Sequence, residues 1–231
     1  MAIERTRQVR EMFGRIVPRY DLLNRLMSLG MDAGWRRAAA AAARPQGALV
    51  LDAGAGTGDL TLELVRQGAR RVVALDLTPA MLAAGRAKAL ASGATRTRWL
   101  AGDALRLPFR DATFDAVTNA FVLRNLADLG RGLEEMARVL RPGGRLVCLD
   151  MTRPRPGPFA ALYRLYFHHL VPPVAGLISG DRAAYRYLPQ SLDRHPDAMT
   201  LASMLERAGL RDVTVRTFAG GAVALHAGVK P

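Results

Sequence analysis

The sequence predicts an α/β domain with a doubly wound, mostly parallel sheet, preceded by N-terminal helices and closed by a terminal antiparallel hairpin. Three observations predict it. From residue 48 onward, short and nearly unbroken apolar strands alternate with helical stretches, the pattern of a sheet covered on both faces. A glycine-rich turn, "LDAGAGTGDL" at 51–60, follows the first strand. The last two strand candidates have only Gly220-Gly221 between them, the signature of a hairpin.

Residues 4–43 read as helical, with apolar positions three and four residues apart and with Pro18 and Gly30 as punctuation. The chain thus divides into an N-terminal helical appendage, 1–43, that covers the substrate, and a main domain, 44–231. "RPQG" at 44–47 is the break between them. In the main domain the strand candidates are 48–54, 71–77, 97–103, 114–121 and 144–151, with helices at 59–67, 79–92 and 128–140. "RPGG" stops the last helix and turns the chain. Residues 154–191, rich in proline and aromatics, interrupt the rhythm as an insertion over the ligand-binding edge of the sheet. A helix at 197–208 and the hairpin strands "DVTVRTF" and "GAVALHAGV" complete the chain.

With 231 residues, half of them hydrophobic, the chain suffices for one well-buried domain with appendages. No apolar run approaches the roughly 18 residues a bilayer span requires, and no apolar signal core follows the charged start. A cytoplasmic location is expected. The lone Cys148, in "RLVCLDM", reads as a buried strand thiol and excludes a disulfide framework or a cysteine zinc cluster; no metal site is expected. The net charge of +13 raises the question of nucleic acid or an anionic membrane. Only Lys88 and Lys230 among the basic residues are lysines, and the arginines are scattered with no run beyond two, so a solvated surface explains the charge as well as a binding patch does.

In an open parallel sheet, ligands bind beyond the carboxyl ends of the strands, on the first strand-to-helix turn. Gly54, Gly56 and Gly58 permit positive φ there and remove side chains that would block a ligand. Their G-x-G-x-G spacing is tighter than the G-x-G-x-x-G that seats a pyrophosphate, and no G-K-[ST] follows. A cofactor without phosphates fits better, and S-adenosylmethionine is one. Acids at the turn, Asp52 foremost, favour its cationic portion. Asp76 closes the second strand, where an acid accepts the ribose hydroxyls in nucleotide-binding α/β folds. Asp103 closes the third and can accept a hydrogen bond from the adenine amino group. Taken singly, each acid also reads as a helix cap or a solvated loop residue.

Several stretches narrow this further: "VREMFGRIVPRYDLLNRLMSLGMDAGWRR", "LDAGAGTGDLT", "DALRLPFRDATFDAVTNAFVLRNLADL", "EMARVLRPGGRLVCLDMTRP", "DRAAYRYLPQS" and "GAVALHAGVKP". Together they resemble the quinone-biosynthesis C-methyltransferases, class I S-adenosylmethionine-dependent enzymes with a Rossmann-like sheet, from about residue 9 to the C-terminus. The resemblance implies methyl transfer to a ring carbon of demethylmenaquinol or of a methoxy-polyprenyl-benzoquinol, the former preferred. It implies cofactor contacts at Thr57, Asp76, Asp103 and Ala104. Family members commonly read F-G-L-R-N after the fourth strand, where this chain has Phe121-Val122-Leu123-Arg124-Asn125, so Val122 is expected to narrow the pocket.

Such chemistry needs an electron-rich carbon, which a quinol supplies once a ring hydroxyl loses its proton. Phenols hold that proton up to about pH 10, so the site must favour the anion. Arg124, charged at every working pH, is the expected phenolate stabiliser, with Asn125 and Tyr20 orienting the hydroxyl or a water. A surface ion pair is the alternative for Arg124, and lid packing for Tyr20. His168 and His169 read as packing or surface residues. The expected partners are a lipid-tailed quinol and, transiently, the inner face of the cell membrane; a homodimer is compatible with the chain, and no nucleic acid is expected. Two rivals remain, a nucleic-acid methyltransferase and a noncatalytic RNA-binding module, although "TNAFVLRN" lacks the signature of amino-directed base methylation.

Overall fold

The computed structural model describes residues 2–154, 157, 165 and 191–231. The insertion at 154–191, with His168 and His169, lies almost wholly outside the described residues. Helices α1 (Ala2–Met27) and α2 (Asp32–Ala42) precede β1 (Leu49–Ala53), α3 (Asp59–Arg66), β2 (Arg71–Asp76), α4 (Pro79–Ala91), β3 (Thr97–Ala101) and β4 (Phe114–Ala120). A single 3-10 turn (Leu123–Asn125) leads to α5 (Leu129–Val139) and β5 (Leu140–Met151). Helix α6 (Ala198–Arg207), β6 (Arg211–Phe218) and β7 (Val223–Val229) end the chain.

Seven strands form one sheet in the order β3-β2-β1-β4-β5-β7-β6. The first five are parallel, and β7 runs antiparallel between β5 and β6. The sheet is therefore the doubly wound, mostly parallel one expected, with the hairpin at one edge. Because β1 sits between β2 and β4, the strand order reverses beside it, and the crevice beyond the carboxyl end of β1 is where such a sheet takes ligands.

Two apolar layers enclose the sheet. On one face Leu51, Leu75, Phe114, Val117 and Leu146 meet Leu133 and Met136 of α5 and Leu201 and Leu205 of α6. On the other, Val50, Val72 and Val147 meet Ala39 and Ala40 of α2 and Leu60 and Leu64 of α3. The alanine run of α2 lets that helix approach the sheet closely, and Ala39 and Ala40 are fully buried. Cys148 is buried in β5, and the low-polarity surroundings push its thiol up to about 12, as suits an inert core residue.

Two elements differ from the sequence reading. Gly30 breaks the N-terminal helices, as expected, but Pro18 lies inside α1. The missing N–H costs one helical hydrogen bond, and burial of Ile16 and Leu23 on either side carries the helix through. Strand β5 begins at Leu140 rather than at Gly144. Its first residue pairs with Phe114, pairing resumes at Arg145 opposite Ala116, and the intervening Arg141–Gly144 bulge out. Phe114 is 1% exposed and meets Phe109 edge-on at 4.9 Å between ring centres. Phe114→Ala is expected to cost about 3–5 kcal/mol in urea-denaturation stability, and a loss below about 1 kcal/mol would show that this layer does not close the sheet.

Candidate cofactor and substrate site

The turn after β1 passes through three left-handed positions, with φ of 75° at Gly54, 55° at Gly56 and 83° at Gly58. The expectation that all three glycines make way for a ligand needs correction. A Cβ on Gly54 would lie 2.4 Å from a methyl of Val122, and one on Gly58 would lie 2.4 Å from the Trp99 ring. These two are held bare by the protein's own packing. Only Gly56 faces open space, with nothing within 4 Å of its notional Cβ. Val122 thus packs against the turn itself.

The turn is tied to its neighbours by backbone. Gly54 and Ala55 donate N–H bonds to the Leu75 carbonyl at the end of β2. The Asp76 carboxylate accepts from Gly56 N–H through Oδ2 and from Thr78 N–H through Oδ1, both at 2.8 Å. Burial raises the Asp76 pKa, opposed by those backbone donors.

An open cavity lies over this floor. Tyr20, Gly54, Gly56, Asp76, Asp103, Ala104 and Asn125, all expected from the sequence, line it, together with Val9 and Phe13 of α1 and Phe121 and Val122 after β4. No lysine or arginine appears among its described lining residues, which suits a nucleoside without phosphates. Asp103, two residues beyond β3, has Oδ1 accepting Leu105 N–H at 2.9 Å. Asn125 donates to the Phe121 carbonyl at 3.2 Å. Burial raises the Tyr20 phenol pKa, and a hydrogen bond with Asn24 and the charges of Arg124 and Arg36 oppose the rise. Tyr20 therefore stays a neutral donor at physiological pH.

The remaining expected residues lie elsewhere. Asp52 and Thr57 line a smaller cavity, which shares Tyr20, Gly54, Gly56 and Ala120 with the larger one. Asp52 is 1% exposed and accepts from the Thr61 hydroxyl at 2.6 Å and the Thr118 hydroxyl at 3.3 Å. Burial pushes its pKa up to about 6. The Thr57 hydroxyl donates to Asp21 of α1 at 2.6 Å. Asp59 at the start of α3 pairs with Lys88 of α4, which also holds Asp21, so this acid ties helices together at the turn.

Arg124 lines neither cavity. It is buried, with its guanidinium on Asp150 at 2.6 Å and its charge 5.8 Å from the centre of the Phe121 ring. The alternative of a surface ion pair fails because this pair lies in the interior, at 6% and 1% side-chain exposure. Direct contact between Arg124 and a ring oxygen in the cavity is likewise not what the geometry offers.

Sequence reasoning passed over Arg36 and Asp150. Arg36 lines the smaller cavity and pairs with Asp32 one helical turn earlier. An acid four residues before an arginine, on a helix that ends in an alanine run, was a readable signal. Asp150 closes β5 much as Asp76 closes β2.

Solved structures with the same course of chain include S-adenosylmethionine-dependent methyltransferases. One from Thermotoga maritima superposes with a TM-score of 0.71 at 18% identity, covering 96% of this chain and 100% of its own. One from Aquifex aeolicus gives 0.61 at 21% identity, over 83% and 86%. The fold is that of the class I methyltransferases. Sequence is more specific: the ubiE/COQ5 methyltransferase family model matches residues 1–230, and the chain belongs to that family. It is an S-adenosylmethionine-dependent methyltransferase. Relatives named demethylmenaquinone methyltransferase include those of Deinococcus radiodurans, 51% identical over 88% of this chain and 85% of the relative, and of Thermus thermophilus, 47% identical over 95% and 100%.

Asp52 provides a test of the buried turn. Its folded-state pKa is raised from 3.8 to about 6, so the stability linked to its proton is complete below about pH 4 and is lost as pH rises through about 6. Urea denaturation across that window should show the parent losing stability relative to Asp52→Asn as pH rises. A difference independent of pH would contradict the burial of an ionisable acid there.

Proposed function

We propose that this protein transfers the methyl group of S-adenosylmethionine to a ring carbon of a polyprenylated quinol, with demethylmenaquinol as substrate. The observation that carries the reading is the single cavity in which Asp76, Asp103 and the bare face of Gly56 meet Tyr20 of α1 and Asn125 after β4. The names of the close relatives favour the naphthoquinol over a methoxy-benzoquinol.

In this reading Asp76 takes the ribose hydroxyls, each of its oxygens retaining a free lone pair beside its backbone donor. Asp103 and Ala104 border the adenine. When bound, S-adenosylmethionine supplies a methyl group made electrophilic by the sulfonium. The chain's own residues orient the acceptor: Tyr20, neutral and on the helix that roofs the cavity, and Asn125 are the polar groups from α1 and the 3-10 turn placed to hold a ring hydroxyl or a water. Val9, Phe13, Met81 and Leu126 give the ring an apolar, water-poor setting. Arg124 is a positioning residue here. Its pairing with Asp150 anchors the turn that carries Asn125, and its charge favours negative charge nearby. Holding two reactants in line contributes potentially about 7–11 kcal/mol to lowering the barrier.

A prenyl tail keeps such a quinol in the bilayer, so the proposal includes transient contact with the inner face of the cell membrane. No helix among the described residues is long and apolar enough to cross a membrane. A surface contact is what the reading requires.

Incubation with S-adenosylmethionine and a short-chain demethylmenaquinol under reducing conditions is expected to yield, by mass spectrometry, a product heavier by one methylene. Absence of product with naphthoquinols and benzoquinols alike would overturn the assignment. Asp76→Ala should weaken S-adenosylmethionine binding at least about tenfold by calorimetry, as expected for lost charge-assisted hydrogen bonds. Asn125→Ala should lower kcat while leaving that affinity within about twofold.

A further inference from the structure

Helix α1 carries two unlike faces. Val9, Phe13 and Tyr20 line the larger cavity. Leu22 follows Phe13 by about two and a half turns at roughly 3.6 residues per turn, which places it on the opposite side of the helix. There Leu22 and Leu26 are exposed, and in the link to α2 so are Met31 and Leu29, the last at 79%. Elsewhere among the described residues the exposed large hydrophobic side chains stand singly. Single ones are ordinary on a protein surface, whereas a cluster marks a surface that meets something.

The link is built to present these side chains. Leu29 takes the left-handed region at φ 52°, which a leucine adopts only under strain. The N–H groups of Ser28, Leu29, Gly30 and Met31 donate to the carbonyls of Asn24, Leu26, Arg25 and Ser28. The tip therefore spends its amide donors internally and can leave water without the cost of an unpaired N–H.

Charge points to the occupant. From residue 12 to 37 the chain has five arginines and two aspartates. Both aspartates are engaged by the protein itself, Asp21 by Thr57 and Lys88 and Asp32 by Ser28 and Arg36. Glu11, the next acid up the helix, faces Arg7. Arg25, between Leu22 and Leu26, and Arg37 on α2 are exposed, as are Arg15 and Arg19 higher on α1. Leucines flanked by guanidinium groups suit an anionic bilayer, which takes the first at the acyl boundary and the second among its headgroups. A second copy of a chain of net charge +13 would bring like charges together across this face.

We propose that the outer face of α1 and its link to α2, with Leu22, Leu26, Leu29 and Met31, dock on an anionic lipid surface. The proposal rests on the reading of the substrate as a lipid-tailed quinol and deepens it by naming the part of the chain that meets the bilayer. The surface that meets lipid and the cavity that takes the ring are then two sides of one helix.

Co-sedimentation of the full chain with vesicles, in the absence of quinol, tests the surface. The parent should bind equimolar phosphatidylcholine–phosphatidylglycerol vesicles more tightly than phosphatidylcholine vesicles. Leu26→Gln/Leu29→Gln should bind the mixed vesicles at least about tenfold more weakly, as the loss of two inserted leucines requires. A parent that binds neither vesicle, or a double variant that binds like the parent, would overturn the proposal. A dimer of the parent in free solution that the double variant abolishes would give the face to a second copy and overturn it as well. An independent variant uses the burial of Cys148: Leu29→Cys takes a polarity-sensitive fluorophore, whose emission should move to shorter wavelength on mixed vesicles, and an unchanged emission rejects the proposal. Methylation of a soluble short-chain demethylmenaquinol is read separately. The double variant should turn it over at the parent's rate, and absence of product from the parent would reject the quinol reading rather than the docking surface.

Discussion

The Asp76 carboxylate, held against the turn after β1, is the interaction on which the site depends. Two 2.8 Å hydrogen bonds, from Gly56 N–H and Thr78 N–H, pin this partly buried acid at the end of β2. They set the floor of the larger cavity and oppose the rise that burial gives the pKa of this acid. The turn reaches that position through left-handed backbone, which glycine alone adopts without strain. Packing supplies the rest: Val122 and Trp99 occupy the space where side chains at Gly54 and Gly58 would stand. The turn is thus shaped from behind by the protein and left open in front, at Gly56, for a ligand.

The N-terminal helices complete the site rather than merely adjoining it. Helix α1 roofs the larger cavity with Val9, Phe13 and Tyr20, and it is tied down by Asp21, which meets Thr57 of the turn and Lys88 of α4. The Asp21, Lys88 and Asp59 side chains are 31–40% exposed, so their ion pairs are weak individually and sensitive to salt. Helix α2 is anchored differently, by fully buried alanines against the sheet and by the internal Asp32–Arg36 pair. A firmly packed α2 thus stands next to a lightly latched α1.

Much of this was legible in the sequence because parallel strands covered on both faces leave a strong apolar signature. The strands at 49–53, 71–76, 97–101 and 114–120 fall within the stretches their composition marks. The acids at the end of β2 and just beyond β3 could be read from position alone, since a parallel sheet brings the ends of neighbouring strands to one edge. What local sequence could not disclose came from long-range packing. Pro18 stays in α1 because Ile16 and Leu23 are buried around it. The engagement of Arg124 by Asp150 joins residues 26 positions apart, and no spacing rule anticipates it. The separate reasons for three closely spaced glycines depend on Val122, which follows β4, and on Trp99 in the middle of β3.

The most direct test of the central claim is a crystal structure with S-adenosylhomocysteine. The account predicts both ribose hydroxyls on the Asp76 carboxylate, with the nucleoside lying over the bare face of Gly56. A nucleoside bound elsewhere, with Asp76 still engaged only by the Gly56 and Thr78 amides, would contradict it.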